Sequence, residues 1–161
     1  MIIRLATRPG DLGEVIALHG RLYAEEYAMD QSMEAYCGAG ISRFALDRLE
    51  RGAEVGELWV AEEDGRILGS IAMLEEEGVG RLRWLLLHPD LRGRGAGRGL
   101  VETSLAYARE RGFPAVYLTT ISGLDAAHYL YRRAGFELTN SEPVSKWGIE
   151  TDEQRFDLKF G

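Results

Sequence analysis

The chain has 161 residues, 45% hydrophobic and 28% charged, which fits one globular domain, residues 1–161, with a sizeable core. Its formal net charge of −7 speaks against a general nucleic-acid binder, which would carry a basic footprint. Apolar runs such as Trp84-Leu85-Leu86-Leu87 are far shorter than the roughly 20 residues of a membrane-spanning helix. The first residues lack a signal-peptide layout, and a lone cysteine, Cys37, cannot form an internal disulfide, so a reducing cytoplasm is the expected setting.

In chain order, Met1–Thr7 reads as a strand closed by Arg8-Pro9-Gly10. Asp11 is the expected N-cap of a helix to about Tyr27. Leu12, Val15, Ile16, Leu22 and Tyr23 lie at helical spacing, with His19 and Glu26 on the same stripe. A second helix is expected over Gln31–Arg51, with Met33, Cys37, Ile41, Phe44 and Leu49 inward and Gly52 at its end. Glu57–Glu62 and Arg66–Leu74 form a hairpin around Asp64-Gly65, and Glu75-Glu76-Glu77-Gly78 turns into a third strand, Val79–Leu87. An amphipathic helix follows over roughly Ala96–Arg111. A short buried strand is expected at Ala115–Thr120, a helix at Leu124–Ala134, and last strands near Phe136–Thr139 and Gln154–Lys159. The order β-α-α-β-β-β-α-β-α-β-β implies an α/β fold, a mixed sheet with helices on both faces.

Charge is unevenly spread. Residues 1–80 hold 7 basic and 16 acidic side chains, whereas residues 81–98 set Arg81, Arg83, Arg92, Arg94 and Arg98 against Asp90 alone. Such a compact basic spot suits a small polyanion. It coincides with the run His88-Pro89-Asp90-Leu91-Arg92-Gly93-Arg94-Gly95-Ala96-Gly97-Arg98-Gly99, where a buried strand meets a helix through a glycine-rich loop. Backbone N–H groups in such a loop, together with the helix N-terminus, can converge on phosphate oxygens. A tight structural connection is the competing reading. No Gly-Lys-Ser/Thr follows, which excludes a Walker loop, and a preceding hairpin argues against a dinucleotide fingerprint. The three histidines, His19, His88 and His128, show no metal-ligand spacing.

Arg92-Gly93-Arg94-Gly95-Ala96-Gly97 resembles the Arg/Gln-x-x-Gly-x-Gly/Ala acyl-CoA loop of the GCN5-related N-acetyltransferases (GNAT). Ala127-His128-Tyr129-Leu130-Tyr131-Arg132-Arg133-Ala134-Gly135-Phe136 resembles that family's Ala-x-x-Leu-Tyr-x-x-x-Gly-Phe segment. The helix around Leu18–Tyr27, Lys146-Trp147-Gly148 and Glu153-Gln154-Arg155-Phe156 look like the acetyltransferase half of bacterial proteins fused to a MarR-type winged helix. These 161 residues leave no room for that DNA-binding half.

The resemblance implies a mostly antiparallel sheet of about seven strands flanked by about four helices. A V-shaped gap would lie between the strands ending at Leu87 and beginning at Ala115. Acetyl-CoA is the implied co-substrate, without a metal, and a small amine, amino acid or peptide is the implied acceptor, attacking the thioester directly; a homodimer is allowed. Pantetheine would run along Leu86, Leu87 and His88, with the Leu87 amide polarising the thioester carbonyl. The pyrophosphate would sit on Arg92, Gly93, Arg94, Gly95, Ala96, Gly97 and Arg98. Tyr131 would protonate the departing thiolate. Many relatives carry a cofactor-binding asparagine where this chain has Leu124, and Ser122 is the candidate substitute. Many also carry a catalytic glutamate where this chain reads Arg81-Leu82-Arg83-Trp84.

Among other residues, Glu26 is the candidate for attracting and deprotonating a cationic amine, with His19, Tyr23, Tyr27 and Trp147 lining the acceptor site. The plain alternative pairs His19 and Glu26 with Arg81 or Arg83. The competing function is a non-catalytic acyl-CoA-sensing domain that keeps the loop but does not turn over.

Overall fold

The computed structural model describes all residues, 1–161. Its elements follow the expected order: β1 (Ile2–Leu5), α1 (Asp11–Tyr27), α2 (Gln31–Arg51), β2 (Gly56–Glu63), β3 (Arg66–Glu76), β4 (Val79–Leu87), α3 (Ala96–Glu110), β5 (Ala115–Ile121), α4 (Asp125–Ala134), β6 (Glu137–Lys146) and β7 (Ile149–Lys159). Short 3-10 turns at Ala53–Val55 and Pro89–Leu91 complete the chain. No helix is long and apolar enough to cross a membrane.

The seven strands form one sheet in the order β1-β2-β3-β4-β5-β7-β6, antiparallel throughout except between β4 and β5. Alternation along β2 explains the two-faced core. Trp59 and Ala61 join the cluster with Leu100, Leu105, Val101 and Tyr131 of α3 and α4, while Val60 joins Val15, Met33, Cys37 and Ile41 of α1 and α2. Both clusters are apolar, so burial on both faces holds the layers together.

Several boundaries differ from expectation for identifiable reasons. Gly10, at φ 94°, caps α1 instead of Asp11. The Asp11 carboxylate is taken by Arg4 at 2.8 and 3.0 Å and by the Arg8 amide, which ties β1 to the helix. Leu49 is 83% exposed: in the last turn of α2 it is the neighbouring Arg48 that faces the sheet, reaching Gly56 O and the Glu57 carboxylate of β2. The final hairpin is much longer than expected: β6 continues to Lys146, and Trp147-Gly148, both with positive φ, form its turn. Its exposed, polar β6 gave no alternating apolar pattern to read.

The feature that makes a site is the parting of β4 and β5. They pair only through Gly80 with Val116 and Arg81 with Tyr117. Beyond that point β4 stays with β3 and β5 stays with β7, so the sheet opens into a V. A bulge sits beside the opening: Ala72 faces Arg83 and Ser70 faces Leu86, leaving Trp84 and Leu85 opposite Ile71 alone. Trp84 takes φ 53°, and the fully buried Ser70 hydroxyl donates to its carbonyl at 2.7 Å.

Candidate active site

Two sizeable cavities, with a small cleft between them, adjoin β4. The outer cleft, about 510 Å³, runs along the glycine-rich loop and is lined by Leu87, Arg92, Gly93, Gly95, Ala96, Gly97 and Arg98. Its far wall is α4, through Ala126, Tyr129, Leu130 and Arg133, residues at helical spacing that the sequence reading passed over. The inner pocket, about 290 Å³, fills the V itself. Leu82–Leu85 and Leu118–Ile121 form its sides, and His19, Tyr23, Tyr131 and Trp147 reach into it.

The outer cleft has the chemistry of a phosphate cradle. Gly93 and Gly95 adopt φ 73° and 79°, and a Cβ on either would meet nothing within 4 Å, so the backbone is bare toward the cleft. Gly95 caps α3 without a side-chain partner, and the N–H groups of Ala96, Gly97 and Arg98 have no acceptor within the chain. Unpaired donors at a helix start, next to arginines, fit a pyrophosphate. Gly97 has a different duty from Gly95. Its Cβ would lie 2.7 Å from Leu87 Cδ1 and 2.8 Å from Leu130 Cδ1, so it lets α3 pack tightly on β4 and α4.

The Leu87 amide points out of the β3–β4 pair. The His88 N–H donates to Leu68 O at 2.7 Å, which by strand alternation turns the Leu87 N–H and C=O away from β3. Consistent with this, Arg92 Nη2 reaches the Leu87 carbonyl at 3.0 Å from outside the β3–β4 pair. His88 itself is otherwise occupied: its amide serves the sheet and its Nδ1 accepts from the Asp90 N–H. Leu86 buries its side chain against Leu18 and Leu22.

Other site residues need correction. Glu26 is not in the inner pocket: both carboxylate oxygens take Arg92 at 2.6 Å, and this pairing holds its carboxyl below the usual range. It therefore pairs with the loop arginine instead of Arg81 or Arg83, and it is no free base. Tyr27 accompanies Glu26 in a small cleft beside Leu86 and Leu87, outside the inner pocket. Arg94 turns to Glu63 at 2.5 and 2.8 Å and does not line the outer cleft. Ser122 faces Thr151, Oγ to Oγ1 3.1 Å, tying β5 to β7 and lining neither cavity. Glu75 accepts the Gly78 amide in its own turn.

The Arg92 pair carries a prediction. Replacing Glu26 by Gln removes a negative charge that competes with phosphate for the guanidinium, so CoA binding should tighten by roughly 2- to 5-fold in calorimetry. Weaker binding would instead show that Arg92 needs Glu26 to orient it.

His19 and Tyr131 define the floor of the inner pocket. His19 Nδ1 donates to Val15 O at 2.8 Å, its Nε2 is buried without a partner, and burial pushes its pKa down to about 4. The unfolded chain binds a proton near pH 6.5 that the folded chain refuses until about pH 4, so stability falls as pH drops through that window. The loss should approach roughly 3 kcal/mol by pH 4. Urea melts of wild type and His19→Leu across this range test it, since the variant should lose that acid sensitivity. Tyr131 is 5% exposed, its hydroxyl makes no hydrogen bond within the chain, and burial followed by the nearby Tyr23 raises its pKa strongly. It stays protonated across the physiological range.

Positive charge also lines the inner pocket. Arg81, Arg83 and Lys146 face one carboxylate, Glu153, which Lys146 already holds at 2.5 Å. No group of three or more His, Cys, Asp or Glu side chains is arranged to hold a metal.

Comparison with known proteins agrees with this geometry. Residues 22–136 match the acetyltransferase (GNAT) family, and the chain belongs to it. A mycothiol acetyltransferase of Propionibacterium freudenreichii is 29% identical over 147 residues, 84% of this chain and 43% of the relative. N-acetyltransferase family 8 member 2 of Rattus norvegicus is 34% identical over 96 residues, 56% of this chain and 42% of the relative. The chain thus spans less than half the length of either curated relative. Among solved structures, a ribosomal-protein-alanine N-acetyltransferase from Brucella melitensis superposes with TM-score 0.77 at 23% identity, covering 99% of this chain and 100% of its own. An acetyltransferase from Salmonella typhimurium, solved with acetyl-CoA, gives 0.76 at 19% identity, covering 98% and 92%. At these identities the superpositions show the shared fold.

Proposed function

We propose that the chain is an acetyl-CoA-dependent N-acetyltransferase that acetylates a small primary amine in the V between β4 and β5. The observation that carries this is a small cleft beside β4 that shares Leu87, Arg92 and Leu130 with the phosphate cradle and Tyr23, Leu85 and Leu124 with the inner pocket that Tyr131 lines. The Salmonella relative is described with acetyl-CoA as its cofactor. A cytoplasmic setting is part of this reading, supported by the lone buried thiol of Cys37.

Acetyl-CoA supplies an activated acetyl group as a thioester. The α3 N-terminus, Arg92 and Arg98 hold its pyrophosphate, and the outward Leu87 amide hydrogen-bonds the carbonyl oxygen as charge gathers there. The amine nitrogen forms the new C–N bond while the C–S bond breaks. Tyr131 gives its hydroxyl proton to the sulfur, and the resulting phenolate takes the proton shed by the acetylated nitrogen, which balances the reaction. The desolvation that strengthens the tyrosine's hold on its proton also raises the proton affinity of the departing thiolate. The amine must arrive neutral. Arg81 and Arg83 beside the pocket lower the proton affinity of an entering amine, which gives up its proton to water before it attacks.

The reading is tested by CoA release during incubation of acetyl-CoA with amino acids, polyamines, aminoglycosides and peptides, followed by mass spectrometry. At least one amine should be acetylated with release of CoA. Tight acetyl-CoA binding without release to any amine would assign a sensing role instead.

A further inference from the structure

Building on the acetyltransferase reading, we propose that the acceptor carries a carboxylate as well as its amine, and that Arg83 receives that carboxylate. Arg83 projects from β4 into the inner pocket, stacked 4.5 Å from the Trp84 ring. A Cβ on Gly40 of α2 would stand 3.1 Å from the Trp84 ring and 3.5 Å from Arg83 Nη2, so the glycine lets α2 lie close against the stacked pair. In this half-buried position Arg83 forms no hydrogen bond and no ion pair with any carboxylate of the chain. Two residues away on the same face of β4 stands another cation, Arg81.

The remaining charges do not resolve this excess. Arg81 touches Glu76 at 3.4 Å, and its Nε is buried without a partner. Lys146 is committed to Glu153. A desolvated guanidinium without an anion is costly, and its planar fork matches a carboxylate bidentately. The same charges repel polyamines and aminoglycosides. Met29, Met33, Trp84, Leu118 and Trp147 supply apolar and aromatic wall, and about 290 Å³ accommodates one amino acid. An α-amino acid with an apolar side chain matches all three features.

Calorimetry on the CoA-saturated protein tests the site without requiring turnover. The probes are N-acetyl-L-phenylalanine and N-acetylphenethylamine, which differ only in the carboxylate. The acid should bind at least about tenfold more tightly. Arg83→Gln should close that gap to within about twofold, and Arg83→Lys, which keeps the charge but loses the fork, should fall between. Circular dichroism verifies that each variant is folded. Equal affinities, a gap that survives Arg83→Gln, or binding of neither probe would overturn the proposal. CoA release with L-phenylalanine and with phenethylamine separates the two claims. Equal kcat/KM for both amines overturns the carboxylate site and leaves the acetyltransferase standing. Carboxylate-selective binding without CoA release to either amine supports the Arg83 site and counts against the acetyltransferase.

Discussion

Replacing Tyr131 by Phe should lower kcat by roughly 10²–10⁴-fold while acetyl-CoA affinity stays nearly unchanged. The substitution removes one oxygen from a ring packed among Phe136, Phe156 and His128. No hydrogen bond is lost, because the hydroxyl has none within the chain, so packing and melting temperature should hold. Only the proton donated to sulfur disappears. A side chain at helical spacing on α4 could equally have been core, and its burial agrees with that view. What favours catalysis is the hydroxyl's opening into the inner pocket without a protein partner. A fully active Tyr131→Phe protein would return the residue to packing.

Gly95→Val should weaken acetyl-CoA binding by roughly 30- to 1000-fold, a loss of about 2–4 kcal/mol. At φ 79° a β-branched residue is strained, so the backbone must leave the conformation that aims the loop amides into the cleft. No protein atom lies within 4 Å of the new Cβ, so the fold should survive. Gly97→Val is the instructive contrast. Its Cβ would press on Leu87 and Leu130, so it should destabilise the protein by about 1–3 kcal/mol as well as impair binding. The two glycines share a motif but not a physical role. Calorimetry paired with thermal melts separates them, and an unchanged affinity in folded Gly95→Val would contradict the cradle.

The sequence made the central elements legible because each has a strong local signature. Strand alternation, the Asp64-Gly65 turn and the helix after the glycine-rich loop all match the structure. Within the site, Tyr131 and the Leu87 end of β4 were singled out through motifs; Tyr131 lines the inner pocket and Leu87 the outer cleft. What could not be read is long-range pairing. Helical spacing showed His19 and Glu26 on one stripe, yet α1 extends across the opening, so one lines the inner pocket and the other meets Arg92 66 residues away. The Trp84 bulge left no local mark, although it adjusts which β4 residues face the gap. Arg81 and Arg83 entered the sequence reading as part of the basic spot and as alternative partners for His19 and Glu26. That both line one pocket, with the Arg81 Nε lacking a partner, depends on long-range packing that no local pattern shows.

The central claim is that the V between β4 and β5 moves an acetyl group from thioester sulfur to an amine nitrogen. Its most direct test is a stoichiometry measurement: CoA released and N-acetylated amine formed, quantified in the same reaction for wild type and Tyr131→Phe. The account predicts one acetylated amine per CoA released, with both falling together in the variant. CoA release without acetylated amine, or equal yields from the two proteins, would contradict it.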